Sequence, residues 1–194
     1  MNRITHQIVL ASLMCACSAA PNGDERIRSG GEIIRLPPAA LSDLPAPVRI
    51  LLAEESCLVP QPWSPGVPPQ YTNIVRGEFA VRGQYDWAVL CSRGGKSSVH
   101  LFWGGPSRCS DSLAESDDAL FLQAVTPNEI GYSRVISRVS PDDLAQRYGR
   151  QHNPSSSATP PKFDHDALND AFLEKASTTY YCSDTSWHKF LGSD

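Results

Sequence analysis

Three carboxylates crowd one short stretch of this chain. Asp164, Asp166 and Asp170 stand close together, with His165 between the first two. Carboxylate oxygens are hard donors, so the group could hold a divalent cation, calcium before any other. The same acids, with His165 as base or ligand, could instead hydrolyse a substrate, because the separation that matters between paired carboxylates is spatial and not sequential. A third reading is a solvated turn or helix cap after the polar, proline-rich stretch 151–162. Clustered like charges repel, so a bound cation or a neighbouring base must offset them, and Lys162 could fill the site as an internal cation.

Other chemistry lacks its residues. No Gly-x-Ser-x-Gly and no His-Glu-x-x-His occurs. Gly95-Lys96-Ser97 ends like a phosphate loop, but Leu90 stands where that loop needs its first glycine, so a hairpin turn is expected. The helix–loop–helix calcium pattern fails too, with Lys175 at its closing position. His100 lies between Val99 and Leu101 on an expected strand and faces away from both. Trp63, in Pro62-Trp63-Ser64-Pro65, either anchors its loop or meets a sugar or peptide. No cofactor other than calcium is expected.

One stretch resembles a known repeat. Gly77-Glu78-Phe79-Ala80-Val81-Arg82-Gly83-Gln84-Tyr85-Asp86-Trp87-Ala88-Val89 is similar to the FG-GAP or VCBS-type loop, G-D-F-N-G-D-G-x-x-D-L-A-V. Gly77, Phe79, Gly83, Asp86, Ala88 and Val89 fall on that pattern. A weaker copy starts at Phe163, so that Phe163 matches Phe79 and Asp170 matches Asp86. The resemblance implies calcium between strands of a propeller blade, with Asp164, Asp166 and Asp170 turned into one loop in the second copy. Ala80 and Arg82 leave the first copy without ligands, and Arg82 could neutralise Glu78 or Asp86. In the second copy Lys162 and Ala167 depart from the pattern. Two copies do not close a propeller ring. The chain as a whole also resembles small exported bacterial proteins of unassigned activity.

The first residues read as an export signal. Arg3 is followed by an apolar run, Ile8 to Met14, then by small residues. Residues 1–16 are expected to be a signal sequence. Met14-Cys15-Ala16-Cys17 resembles a lipobox, which would make Cys17 the lipidated first residue and the membrane a partner. Cleavage after Ala19 or Ala20 would instead release a secreted protein, although Pro21 disfavours that cut. Residues 17–44, broken by Ser29-Gly30-Gly31 and Pro37-Pro38, read as a flexible tether. Cys57, Cys91, Cys109 and Cys182 remain in the mature chain, and an even number in an exported protein favours disulfides. Three pairings are open. Cys57 with Cys91 is favoured, because Cys91 lies beside the first repeat-like loop and Cys57 precedes the segment leading into it, which leaves Cys109 with Cys182.

The elements that must position these residues follow from pattern. Ala46 to Ser56 is expected to be a helix, with Val48, Leu51 and Leu52 on one side. Strands are expected over 73–80, 87–91, 98–103 and 132–139, and 120–125 is strand or helix. Ser140-Pro141-Asp142-Asp143 opens a helix to about Arg150. Residues 178–182 and 187–191 form a hairpin. The fold class is α+β: one domain, 45–194, of mostly antiparallel sheet with two or three short helices. A net charge of −4 argues against nucleic acid as a partner. The expected function is an exported, lipid-anchored protein of the bacterial cell envelope, in the periplasm or at the outer membrane, acting as a non-catalytic binding or structural module for a protein or glycan. The alternatives are a small envelope hydrolase using the clustered carboxylates, or a cation-stabilised adhesion-like module.

Overall fold

A computed structural model of the protein describes residues 33–63, 72–106, 109–151 and 162–192. The expected signal sequence (1–16), Cys17 and the tether up to residue 32 lie outside the described residues. The rest of the expected tether is folded. Arg35–Leu36 (β1) pairs antiparallel with Val59–Pro60 (β2), and a 3-10 turn covers Pro38–Ala40. Leu41 and Leu44 are fully buried, so the folded unit begins about ten residues earlier than the expected boundary at 45. Proline near a helix start is tolerated because the first N–H groups have no partner there anyway, and Ala46–Glu54 (α1) starts with Ala46-Pro47. It ends where Ser56 turns to φ 56°. Val48 and Leu52 form its buried side; Leu51, expected beside them, is exposed.

Two four-stranded antiparallel meanders follow. The first contains Ile74–Gly77 (β3), Asp86–Arg93 (β4), Lys96–Phe102 (β5) and Ser112–Asp117 (β6), in the order β3-β4-β5-β6. After the hairpin of Leu122–Thr126 (β7) and Glu129–Tyr132 (β8) comes the second: Arg134–Val139 (β9), Ala167–Phe172 (β10), Ala176–Ser183 (β11) and Ser186–Gly192 (β12). Between β9 and β10 lies the helix Pro141–Gln151 (α2). Its N-terminus is capped by Ser140, whose hydroxyl oxygen accepts the Asp143 N–H at 3.2 Å and donates to the Asp143 carboxylate at 2.7 Å. The architecture is mostly antiparallel sheet with two α-helices among the described residues.

Three apolar clusters show how the layers stack. Val89 and Cys91 of β4 join Leu41, Leu44, Val48, Leu52 and Val59 beneath α1. The alternate residues of β4, Ala88 and Leu90, join Val99 and Leu101 of β5 and meet Ile136 and Leu168 of the other sheet. Outside that sheet, Leu144 of α2 packs with Val139, Ala167 and Tyr181. Strand β4 is therefore covered on both faces, which is why Trp87-Ala88-Val89-Leu90-Cys91 is an unbroken apolar run and not an alternating one. Strand β5 has one face in the inter-sheet core and turns Ser98, His100 and Phe102 towards the α1 side.

Two disulfides cross-link this stack. Cys57 bonds to Cys91, Cα atoms 5.3 Å apart, and Cys109 to Cys182, Cα atoms 6.0 Å apart. These are the favoured pairs. The second joins the β5–β6 connection to β11, beside the stacked rings of Trp103 and Trp187. Disulfides of this kind belong to an oxidising, exported compartment. No helix among the described residues is long and apolar enough to cross a membrane.

Candidate functional site

The first repeat-like loop is organised around Asp86. This carboxylate is fully buried at the start of β4 and accepts four hydrogen bonds. Phe79 and Ala80 donate backbone N–H to Oδ2 at 3.0 and 3.1 Å, while Gln84 Nε2 and the Gly104 N–H donate to Oδ1 at 2.7 and 2.9 Å. None of these bonds comes from Arg82. Gly77 is small because the Phe79 ring lies against it; a Cβ there would come within 2.7 Å of the ring. Gly83 takes φ 86°, where glycine is favoured. Asp86 thus holds the loop together through three backbone N–H donors and the Gln84 side-chain amide.

The three acids of the second copy turn to three different partners. Asp166 is buried and reaches into the first loop: its Oδ2 accepts the Glu78 N–H at 3.0 Å, and its own N–H donates to the Glu78 carbonyl at 3.0 Å. Arg138 stands 3.5 Å from it. Asp170 lies in the middle of β10, whereas Asp86, its match in the first copy, begins β4, and it pairs with Arg134 at 2.9 and 2.8 Å. An extended chain puts Asp166 and Asp170 about 13 Å apart. One calcium ion holds its ligands at about 2.3–2.6 Å and cannot gather both. No group of three or more His, Cys, Asp or Glu residues suited to a metal ion occurs among the described residues.

Asp164 is half exposed and belongs to a different cluster. Its Oδ1 lies 2.8 Å from His165 Nδ1. The Tyr181 hydroxyl accepts the Asp164 N–H at 3.2 Å and stands 3.1 Å from the same His165 nitrogen. On its other side His165 Nε2 donates to the Cys182 carbonyl at 2.9 Å, and the ring stacks on Tyr181 with centroids 4.3 Å apart. The hydrogen bond from His165 holds the Asp164 carboxyl below its ordinary pKa, with smaller help from the charges of His165 and Lys162. Burial pushes the Tyr181 hydroxyl up. The cluster lines a cleft of about 440 Å³ together with Val81 and Gln84 of the first loop, Lys162 and Asp184. Both ring nitrogens of His165 are occupied within the protein. The arrangement is suited to holding a polar ligand rather than to moving a proton.

Several structurally central polar groups give no signal in the sequence. Arg134 is buried and spends all its N–H groups: on Asp170, on the carbonyl and hydroxyl of Ser97, and on the Ala114 carbonyl. Asn73 bonds Pro60, Arg134 and Ile136 through its amide. Asp118 is buried against Arg35 and Ser92. Strand alternation turns His100 away from Val99 and Leu101, and its ring does so; alternation says nothing of Glu55 and Ser98, which the ring meets. Trp63 donates its indole N–H to Glu129 at 2.8 Å and its backbone N–H to the Tyr132 carbonyl.

Fold and cross-links define an antiparallel α+β protein of an exported compartment. Comparison with known protein families, with curated proteins and with solved structures finds no match to this chain.

Proposed function

We propose that the chain is an envelope protein of the exported kind, held to the membrane through lipid on Cys17, and that it acts as a binding module through the cleft between the first loop and the Asp164–His165–Tyr181 cluster. The observation that carries the reading is the preassembled cluster that lines that cleft. His165 and Tyr181 are held by hydrogen bonds and stacking, and Lys162, Gln84 and Asp184 line the same cleft. Stacked rings with a few polar groups around them suit a ligand rich in hydroxyls or amides. A hydrolase built on the three clustered acids lacks its carboxylates, because Asp166 and Asp170 are committed to Glu78 and Arg134.

Two measurements test this. Intact-mass analysis of the membrane fraction should find a chain starting at a lipidated Cys17, and Cys17→Ser should release the protein; a soluble form starting after Ala19 or Ala20 would replace the anchored reading with secretion. Amide spectra recorded during titration with soluble cell-envelope glycan fragments should move at residues 162–165 and 181–184. Shifts confined to other surfaces, or none at millimolar ligand, would remove the cleft as the binding site.

A further inference from the structure

We infer that Ser98, His100 and Glu55 form a serine hydrolase relay, in which Ser98 is the nucleophile, His100 the general base and Glu55 a positioning residue, acting on short acyl esters. Residues two apart on β5 share a face, so Ser98 and His100 both point to the α1 side. Ser98 Oγ lies 3.0 Å from His100 Nε2, and His100 Nδ1 lies 3.1 Å from Glu55 Oε2. A carboxylate only accepts, so Nδ1 carries a proton, and in the neutral ring Nε2 then turns its lone pair to the Ser98 hydroxyl. That is the tautomer a base needs to take the hydroxyl proton. It differs from His165, where both nitrogens already face protein acceptors.

The fold holds this geometry from behind. Glu55 caps the C-terminus of α1, and two residues later Cys57 is bonded to Cys91, the cross-strand partner of Ser98. Arg93 donates to the Glu55 carbonyl at 3.2 Å and fixes the same corner. In front of Ser98 and His100 opens a pocket of about 230 Å³, rimmed by Arg93, Lys96 and Glu115. It has room for a small acyl group; Arg93 and Lys96, the latter 3.9 and 3.8 Å from Glu115 and Asp117, are the cations at its rim.

The reaction balances without a cofactor. Ser98 Oγ bonds to the ester carbonyl carbon while its proton passes to His100 Nε2 and the carbonyl π electrons move to oxygen. As those electrons return, the carbon–alkoxide bond breaks and the alcohol leaves with the proton from Nε2. Water repeats the sequence on the acyl-serine, giving the free acid and restoring the hydroxyl.

The test uses the oxidised mature protein with an alkyl fluorophosphonate and with p-nitrophenyl acetate. A single adduct, mapped by peptide mass spectrometry to Ser98, is expected, and Ser98→Ala should abolish it. His100→Gln should slow both labelling and ester hydrolysis by about 100-fold or more. Glu55→Gln should lower kcat at unchanged KM and unchanged melting temperature, with part of the loss recovered in Glu55→Asp. Absence of an adduct on Ser98 in folded wild-type protein overturns the inference, as does labelling whose rate His100→Gln leaves unchanged. Because the adduct is mapped on the wild type, the result holds even where a variant fails to fold. It is also independent of whether the cleft binds a glycan.

Discussion

Arg134 sets the terms for the acids around it. A guanidinium carries five N–H donors in a rigid fork and is buried at acceptable cost only when each finds an acceptor. Here Asp170 takes two, Ser97 two and Ala114 one, and the Phe121 ring lies 4.5 Å below. Asp170 is thus a counter-ion inside the sheet stack, not one of a set of cation ligands. Replacing Arg134 with Met should leave Asp170 uncompensated and lower stability by about 3–5 kcal/mol in urea unfolding; a loss under about 1 kcal/mol would mean that water reaches the site. The same partner count bears on calcium. With Asp166 spent on the first loop and Asp170 on Arg134, millimolar calcium should leave the melting temperature unchanged. A clear rise that disappears in Asp166→Asn would restore the cation reading.

At the scale of elements, legibility follows how local the stabilising contacts are. Strand β4 is readable because cover on both faces demands an apolar run, and Gly94-Gly95 marks the hairpin because both residues take positive φ, 60° and 82°. Helix α2 announces itself through Ser140-Pro141-Asp142-Asp143. Since the Ser140 hydroxyl accepts the Asp143 N–H, Ser140→Ala should cost about 1 kcal/mol, read as a lower urea midpoint with unchanged slope. Strand β6, Ser112–Asp117, escapes a reading by pattern because it is a polar edge strand with little alternation to see. Strand β10 looks like a loop because Asn169 and Asp170 are turn-forming types; their burial depends on Arg147, Thr179 and Arg134, all remote in sequence. The repeat resemblance puts Asp170 in the role of Asp86 from spacing alone, whereas Asp86 begins β4 and Asp170 lies inside β10. Glu55 cannot be joined to His100 from the sequence, since only the packing of α1 against β4 and β5 brings the helix end over that strand.

For the whole molecule, the polar seam between the sheets makes stability depend on pH at both ends of the scale. Two carboxyls set the acid side. Burial would raise the pKa of Asp118, but the hydroxyls of Ser92 and Ser97 and the guanidinium of Arg35 outweigh it, so the group sits below its ordinary 3.8; Asp164 is lowered as well, chiefly by His165. A lowered carboxyl stabilises the fold above its unfolded pKa, and that contribution is lost as pH falls through the folded value. The acid limb should therefore begin only below about pH 4. Tyr132 is the most strongly raised phenol on the alkaline side, where burial also raises Tyr180 and Tyr181: burial above all, with the charges of Asp118 and Asp170, pushes its hydroxyl from 10.0 up to about 12. A raised phenol stabilises the fold fully below about pH 10, where both states are protonated. That contribution is lost as pH climbs towards about 12, because only the unfolded chain ionises freely in between. A shift of this size corresponds to about 2–3 kcal/mol over the full window. Urea midpoints measured from about pH 3 to about pH 11.5 should trace a plateau with a fall at each end. Tyr132→Phe should reduce the alkaline fall, with the part owed to Tyr180 and Tyr181 remaining, and leave the acid one intact. A wild-type midpoint that stays level across the alkaline window would show that Tyr132 ionises in place, and that the seam between Arg134, Ser97 and Asp118 is open to water.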